Sequence, residues 1–138
     1  MRVSQRLDYA LQALVMLATM PAGTHIAAGD LAQNLRLPKR FVEQQVTLMA
    51  HAGIVTCRRG AAGGCALARP AAEITVAEVV EAVQGEVLDV PRQPGSASAE
   101  LWAEAAGTLH SFLANVTLQE LGRRQAELDA DSQPLYYI

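Results

Sequence analysis

The sequence has too few cysteines for a disulfide framework and no apolar run long enough to cross a membrane. Cys57 and Cys65 are its two cysteines, and three glycines lie between them. This spacing supplies neither paired disulfides nor four metal ligands. The apolar stretch over residues 3–20 is interrupted by Arg6 and Asp8. These absences predict a chain with no membrane span and no signal peptide, located in the reducing cytoplasm.

Aromatic residues are also scarce, and the patterns of common catalytic sites are missing. One Trp, two Phe and three Tyr occur among 138 residues. No nucleophile stands beside a base in a recognisable motif. The glycines at 60, 63 and 64 lack the lysine and the following helix of a nucleotide-binding loop. The sequence therefore predicts a protein that is not an enzyme and that holds no metal and no cofactor.

The charges are distributed unevenly, although their sum is only −3 at neutral pH. Residues 36–69 contain six basic residues and one acidic residue, a net charge of +5, and residues 1–35 are neutral. Residues 70–138 contain three basic and eleven acidic residues, a net charge of −8. The position of the charges matters more than their total. The middle segment is therefore predicted to face a polyanion that the second half would repel.

The spacing of apolar residues predicts three helices in the first third of the chain. Residues 7–18 follow one helix face. A second helix is predicted over residues 28–35, although Gly29 and the lack of a polar N-cap weaken it. Pro38 is suited to the first turn of a third helix, and Gly53 supplies its end. The tight connection between the last two helices is typical of a helix-turn-helix.

Short extended segments follow the third helix. Residues 54–59 and 65–69 are predicted as strands joined by the turn 60–64, in which three of the five residues lack Cβ. Another short strand is predicted at Ile26 and Ala27. A helix-turn-helix followed by strand, turn and strand is a winged helix-turn-helix. The predicted fold class is therefore mainly α with a small β-hairpin wing.

Capping patterns organise the second half of the chain. Thr75 and Glu78 form a capping box that opens a fourth helix. Residues 86–97 have no apolar period and are predicted to be a linker. Thr117 and Glu120 resemble a second capping box, which opens a short final helix. We expect a winged helix-turn-helix domain over 1–85, the linker over 86–97, and a dimerisation helix with a short C-terminal helix over 98–138.

A long amphipathic helix is predicted after the linker, and its apolar face is too long to be covered by a small winged domain. Pairing with a second copy of the chain is the simplest way to bury that face. Folding back onto its own core is the alternative, and both arrangements are compatible. The predicted dimerisation residues are Leu101, Ala105, Leu109, Phe112, Leu113 and Val116.

The third helix and the wing carry the candidate contacts to double-stranded DNA. Cations meet phosphates, and a few side chains entering the grooves read the bases. Glu43 is suited to cytosine, Gln44 to adenine and Arg40 to guanine or phosphate, while the wing tip is suited to a minor groove. The alternative is a solvated basic face. The candidate residues are Lys39, Arg40, Phe41, Glu43, Gln44 and Thr47 on the helix, and Arg58, Arg59, Gly60 and Gly63 on the wing.

Several short segments carry a resemblance to the Rrf2 family, the winged-helix repressors of the IscR and NsrR type. The resemblance extends from Met1 to about Gly85. Its segments are Met1-Arg2-Val3-Ser4, Asp8-Tyr9-Ala10-Leu11, Phe41-Val42-Glu43-Gln44, Ala52-Gly53-Ile54-Val55, Arg59-Gly60-Ala61-Ala62-Gly63-Gly64, Leu67-Ala68-Arg69-Pro70 and Ile74-Thr75-Val76. It implies a homodimeric repressor that binds a palindromic promoter site, with a long C-terminal helix crossing the partner's winged domain.

The sequence departs from that family in the loop before the long helix. Sensing members hold an iron-sulfur cluster there on three cysteines, whereas residues 86–99 contain none. A thiolate-held cluster cannot be built from this loop. Asp8 matches a position where some members supply a carboxylate ligand, and His110 is another conceivable ligand. Without the thiolates we expect a surface carboxylate and a helix-face imidazole.

Two further hypotheses remain open from the sequence. Cys57 and Cys65 are predicted to face each other across the hairpin, where oxidation would twist the wing and Arg58 would favour the thiolate. An ordinary packing role for two small residues is the alternative. The other hypothesis is a protein-interaction module that kept the fold and regulates a partner enzyme.

Overall fold

The computed structural model describes residues 3–91 and 93–132 and has the predicted fold class. Within these residues six α-helices accompany one antiparallel pair of strands, and no helix there is both long and apolar enough to cross a bilayer. A single 3-10 turn covers Ala71–Glu73. The elements in chain order are α1 Gln5–Thr19, α2 Ala28–Leu35, α3 Lys39–His51, β1 Val55–Arg58, β2 Gly64–Leu67, α4 Val76–Gln84, α5 Ala97–Ala114 and α6 Leu118–Asp131.

The core lies between α1 and the elements that pack around it. Leu14, Leu31, Met49 and Val79 come from four different helices and are almost fully buried in one cluster. Ser4 fixes the start of α1, because its hydroxyl oxygen accepts a hydrogen bond from the Leu7 N–H at 3.1 Å. The apolar spacing in the sequence thus identified the buried faces of these helices correctly.

The helix-turn-helix consists of α2 and α3. The bounds of α2 are those predicted, although no side chain caps its N-terminus. A Cβ on Gly29 would lie 3.3 Å from Cε of the exposed Lys39 side chain, which is free to move aside. Pro38 is the N-cap of α3, and the helix itself begins at Lys39. The apolar face of α3 is buried against α1 and α4.

The wing is shorter than predicted and is anchored to the segment before α2. The strands pair from Val55 with Leu67 to Arg58 with Gly64. Ile26 forms an isolated bridge to Cys65, while Ala27 is the N-cap of α2, so no strand forms at 26 and 27. A Cβ on Gly64, which has φ +135°, would lie 2.4 Å from the Ile26 carbonyl carbon. Only glycine allows this approach of the two backbones.

The second half of the chain partly differs from the prediction. The capping box of Thr75 and Glu78 is present at the start of α4. The last predicted helix is not short, because α6 has 14 residues and packs along α1. In this packing the buried Gly122 would place a Cβ 3.6 Å from the Ala18 Cβ. Residues of α6 therefore complete the core around α1.

Val116 does not lie on the long helix. The helix α5 ends at Ala114, and the carbonyl of Val116 accepts the N–H of Val76 at 2.8 Å. This bond belongs to a bridge that joins the start of α4 to the start of α6, and Leu118 at that point is fully buried. The tertiary bridge therefore stops α5 earlier than its apolar spacing predicts.

The second predicted capping box is only half formed. Thr117 accepts a hydrogen bond from the Glu120 N–H at 3.2 Å, but the Glu120 carboxylate binds Arg123 and Arg124. The division into 1–85, 86–97 and 98–138 stays a prediction. Met1, Arg2, Arg92 and residues 133–138, which fall in those ranges, lie outside the described residues.

Candidate nucleic-acid interface

The surface of α3 turned away from the core presents five of the predicted contact residues. Their positions alternate with the buried residues of the same helix, Val42, Gln45, Val46 and Met49. The helix therefore exposes one continuous polar face. The exposed residues are Lys39, Arg40, Glu43, Gln44 and Thr47.

Internal contacts limit four of the candidates on this helix. Phe41 is half-buried, and its ring packs edge-to-face on Tyr9 with centroids 5.5 Å apart. This contact fixes α3 on α1. The Thr47 hydroxyl donates to the Glu43 carbonyl at 2.9 Å, and Nζ of Lys39 lies 3.8 Å from Oε1 of Glu43. Arg40 and Gln44 have no such contact with any described residue, so they are the least constrained of the set.

The wing tip places the remaining candidates at its surface. Arg58, Arg59 and Gly60 are exposed, and Gly63 is half-buried. The Gly63 N–H donates to the Gly60 carbonyl at 3.0 Å, and a Cβ on Gly63 would lie 2.1 Å from the Arg58 carbonyl oxygen. Gly63 is therefore required by the tight turn itself. The turn leaves both arginines at the end of the hairpin.

The arginines divide into two groups according to their partners. Arg6 donates to the Val83 carbonyl at 3.0 Å, and Arg69 pairs with Glu78. Arg123 and Arg124 both bind Glu120. By contrast, no hydrogen bond or ion pair within residues 3–91 and 93–132 engages the remaining guanidinium groups. Those unpaired groups belong to Arg36, Arg40, Arg58 and Arg59.

This division coincides with the elements of the winged helix-turn-helix. The four unpaired arginines lie in the turn before α3, on α3 and at the wing tip, whereas the paired arginines lie on α1, after β2 and on α6. Arginines without carboxylate partners remain available to bind phosphate, often through two parallel hydrogen bonds. Sequence reasoning did not include Arg36 among the candidates, although it counted the residue in the cationic segment.

The helix α5 leaves its apolar side exposed within the protomer. None of its 18 residues is buried. Leu101, Trp102 and Phe112 are 55%, 46% and 62% exposed, whereas Leu109 and Leu113 pack partly on the core. Sequence reasoning missed Trp102, whose position as the only tryptophan beside Leu101 was the available signal. Exposed apolar side chains on one helix are a feature that proteins use for association.

The two thiols lie across from each other in the wing. Cys57 pairs with Cys65 in the strand register, and their Sγ atoms are 4.0 Å apart. The backbone N–H and carbonyl of Cys65 both bond to Ile26, so the two cysteines form a non-hydrogen-bonded pair, in which side chains approach most closely. Burial, with Cys57 nearby, raises the pKa of Cys65 to about 12. Cys65 therefore stays a thiol, and Cys57 is the exposed member.

The residues do not fit a thiolate-held iron-sulfur cluster. Both cysteines of the chain lie in the wing, and the loop 86–99 contains only oxygen and nitrogen donors. Among the described residues no three His, Cys, Asp or Glu side chains converge as a metal-ligand group. Asp8 accepts a hydrogen bond from Gln12 at 2.8 Å, and Nε2 of His110 lies 3.1 Å from Oε1 of Glu81. These are ordinary helix-surface contacts.

Comparison with known proteins identifies the family. Rv1287 of Mycobacterium tuberculosis, named as an HTH-type transcriptional regulator, is 32% identical over 130 residues, covering 88% of this chain and 81% of that protein. IscR of Escherichia coli, also named as an HTH-type transcriptional regulator, is 28% identical over 142 residues, covering 96% of this chain and 87% of IscR.

A solved structure and a family model agree with these relatives. CymR, described as the global cysteine regulator of B. subtilis, has a TM-score of 0.81 at 25% identity and covers 90% of this chain and 98% of its own. The family model described as Rrf2, iron-dependent transcriptional regulator, matches residues 3–124. The winged helix-turn-helix and its unpaired arginines therefore belong to a DNA-binding transcriptional regulator, and the chain is a member of the Rrf2 family.

Proposed function

We propose that the protein is a homodimeric, cluster-free repressor that acts in the cytoplasm and reads a pseudo-palindromic promoter site through α3 and the wing. The observation that carries this proposal is the set of unpaired arginines. Four guanidinium groups without partners lie on the helix-turn-helix and the wing, while the described arginines of other elements bind acceptors within the fold. Because the other arginines that the structure describes are engaged by acceptors, these four are the ones left available for phosphates.

Base reading is assigned to the exposed face of α3. Arg40 and Gln44 are exposed and have no internal partner, so their donors and acceptors can reach base edges in a major groove. Glu43 can accept from a cytosine amine once the long ion pair with Lys39 opens. Arg58 and Arg59 at the wing tip then approach the adjacent minor groove or its flanking phosphates. The proposed division assigns DNA reading to 1–85, a linker to 86–97 and dimerisation to 98–138, although α6 of the last segment also packs along α1.

Dimerisation is assigned to α5. A helix of 18 residues with no buried position carries exposed Leu101, Trp102 and Phe112, and burying them against a second copy removes this apolar area from water. Ala105, Leu109 and Leu113 are part of the same apolar side. Two protomers related by twofold symmetry present two α3 helices, which matches a palindromic site.

The test measures how DNA affinity depends on salt. Fluorescence anisotropy with a duplex from the chain's own promoter region is expected to give a linear fall of log affinity with log salt, at about 0.9 per phosphate contact. Arg40→Ala and Arg59→Ala are expected to weaken binding and to reduce this slope. Arg124→Ala removes the same charge from a paired arginine and serves as the matched control. Salt-insensitive binding, or equal losses in all three variants, would contradict the proposal.

Thiol oxidation is a second candidate function, favoured by the distance of 4.0 Å between the Sγ atoms of Cys57 and Cys65. A peroxide oxidises the exposed Cys57 to a sulfenic acid and is itself reduced to water or an alcohol. The sulfur of Cys65 then attacks the Cys57 sulfur, the Cys65 proton and the sulfenic hydroxyl leave together as water, and the Sγ–Sγ bond closes. The bond draws the strands together next to Arg58, which would change how the wing meets DNA.

The protein-interaction hypothesis predicts a different result. If the fold served only a partner enzyme, charge reversal at Arg58 and Arg59 would leave promoter binding as weak as before. The proposed repressor instead loses promoter binding in this double variant while its dimers persist in analytical ultracentrifugation. The same measurement thus separates the two hypotheses.

A further inference from the structure

Arg36 adopts a backbone conformation that usually requires glycine. It has φ 57° and ψ 43° in the left-handed region, and it is the only non-glycine residue with positive φ in the part of the chain that the structure describes. Six glycines share the positive sign of φ. The side chain of an L-residue crowds the following carbonyl in this conformation. Arg36 therefore departs from the rule, followed by the other described residues, that positions with positive φ are occupied by glycine.

The hydrogen bonds identify the position as the end of a Schellman motif. The Leu37 N–H donates to the Ala32 carbonyl at 2.8 Å, and the Arg36 N–H donates to the Gln33 carbonyl at 3.2 Å. This pattern terminates α2 and sets the angle at which α3 departs. Glycine is the residue that such motifs favour, because it carries no Cβ. Nothing in the turn itself calls for an arginine.

The side chain of Arg36 also makes no contact that would explain its presence. It is exposed, and its guanidinium engages no described hydrogen-bond or ion-pair partner. The acid nearest along the chain after it, Glu43, already lies 3.8 Å from Nζ of Lys39. Arg36 precedes Lys39 and Arg40 by three and four residues, so it lies where the chain enters the candidate DNA-reading helix.

We propose that Arg36 is a phosphate-binding residue of the DNA interface. Its strained conformation is retained because its guanidinium binds the DNA backbone beside the N-terminus of α3. The inference rests on the proposed DNA-binding function and adds a contact that sequence reasoning omitted. A strained residue at a functional site, stabilised by the structure around it, is a recognised way to hold a binding group. A phosphate contact positions the protein without reading sequence.

The test is the Arg36→Gly variant. Its effects on stability and on DNA affinity should have opposite signs. Thermal unfolding should show a Tm higher by about 3 °C, because glycine relieves the left-handed strain. Anisotropy with the promoter duplex should show binding weaker by roughly fivefold, with a salt slope smaller by about 0.9 per protomer. A scrambled duplex should lose affinity by the same factor. Arg36→Lys retains the charge and the strain, and should keep most of the affinity.

Several results would overturn the inference. Unchanged affinity and slope in Arg36→Gly, with wild-type binding intact, would show that Arg36 does not contact DNA and would leave the proposed function standing. A lower Tm in Arg36→Gly would mean that the side chain supports the turn. A larger loss on the promoter duplex than on the scrambled one would indicate base reading. Absence of wild-type binding would overturn the proposed function and this inference with it.

Discussion

Gln45 is a polar residue that is buried among the apolar residues of α3. It is 6% exposed on the buried side of α3, and its Oε1 atom has no hydrogen-bond partner among the described residues. A buried acceptor without a partner costs the desolvation of that group. We expect Gln45→Leu to raise the free energy of unfolding by about 1 kcal/mol in urea titrations. DNA affinity should not change, because the residue faces away from the exposed side of α3. A destabilised variant would contradict this account.

Glu120 is a second single residue with a testable effect, because it makes the stability of the fold depend on pH. Hydrogen bonds from Arg123 and Arg124 lower the pKa of this carboxyl from 4.5 to about 2. A carboxyl whose pKa is lower in the folded state stabilises the fold above its unfolded pKa. That stabilisation is lost as the pH falls from about 4.5 to about 2. Denaturant titrations should show a shallower loss of stability over this interval in Glu120→Gln than in the wild type. Parallel curves for the two proteins would refute the assignment.

At the scale of elements, the wing offers a chemical test. At pH 8 iodoacetamide should alkylate the exposed Cys57 well before Cys65, whose pKa of about 12 keeps it protonated. Treatment with diamide should give one intramolecular disulfide, seen as a loss of two hydrogens by mass spectrometry, and should lower promoter affinity. Cys57→Ser is the control and should bind DNA equally well with and without diamide. Equal labelling of both thiols, or an unchanged wild-type affinity, would argue against a switch.

The elements that local signals define were predictable from the sequence. The capping box at Thr75 and the spacing of apolar residues gave α1, α2, α3 and α4 nearly at their observed limits. The end of α5 was not predictable, because the carbonyl of Val116 is taken by a bridge to Val76 that is remote in sequence. The predicted strands were too long, and Ile26 pairs through one bridge only. Strand pairing depends on which segments meet in the folded chain, and the local sequence does not determine this.

The candidate interface was predictable to a similar degree. Charge and helical position indicated Arg40, Gln44 and the wing arginines as exposed groups, and the structure leaves them exposed. Arg36 could not be recognised, because its left-handed conformation and its lack of a partner are properties of the folded backbone. The packing of Phe41 on Tyr9 likewise depends on how α3 meets α1.

At the scale of the whole molecule, association through α5 should depend on Phe112. Phe112→Glu places a charge on a side chain that is 62% exposed in the protomer but buried in the proposed dimer. Sedimentation should then show monomers at micromolar concentration, and promoter affinity should fall, because the two half-sites are no longer bound together. Ser111→Glu adds the same charge at the neighbouring exposed position and should remain dimeric. Dimers of normal stability in Phe112→Glu would contradict the proposed interface.

We expect the uneven charge, +5 over residues 36–69 and −8 over residues 70–138, to give the protein an electric dipole. A DNA molecule acts on that dipole before any contact forms, and turns the helix-turn-helix toward itself while the half with net charge −8 is pushed away. Collisions in the wrong orientation thus become rarer, and the association rate constant gains a dependence on ionic strength over distances of about 10 Å. The layout of charge therefore influences how quickly a site is found, apart from how tightly it is held.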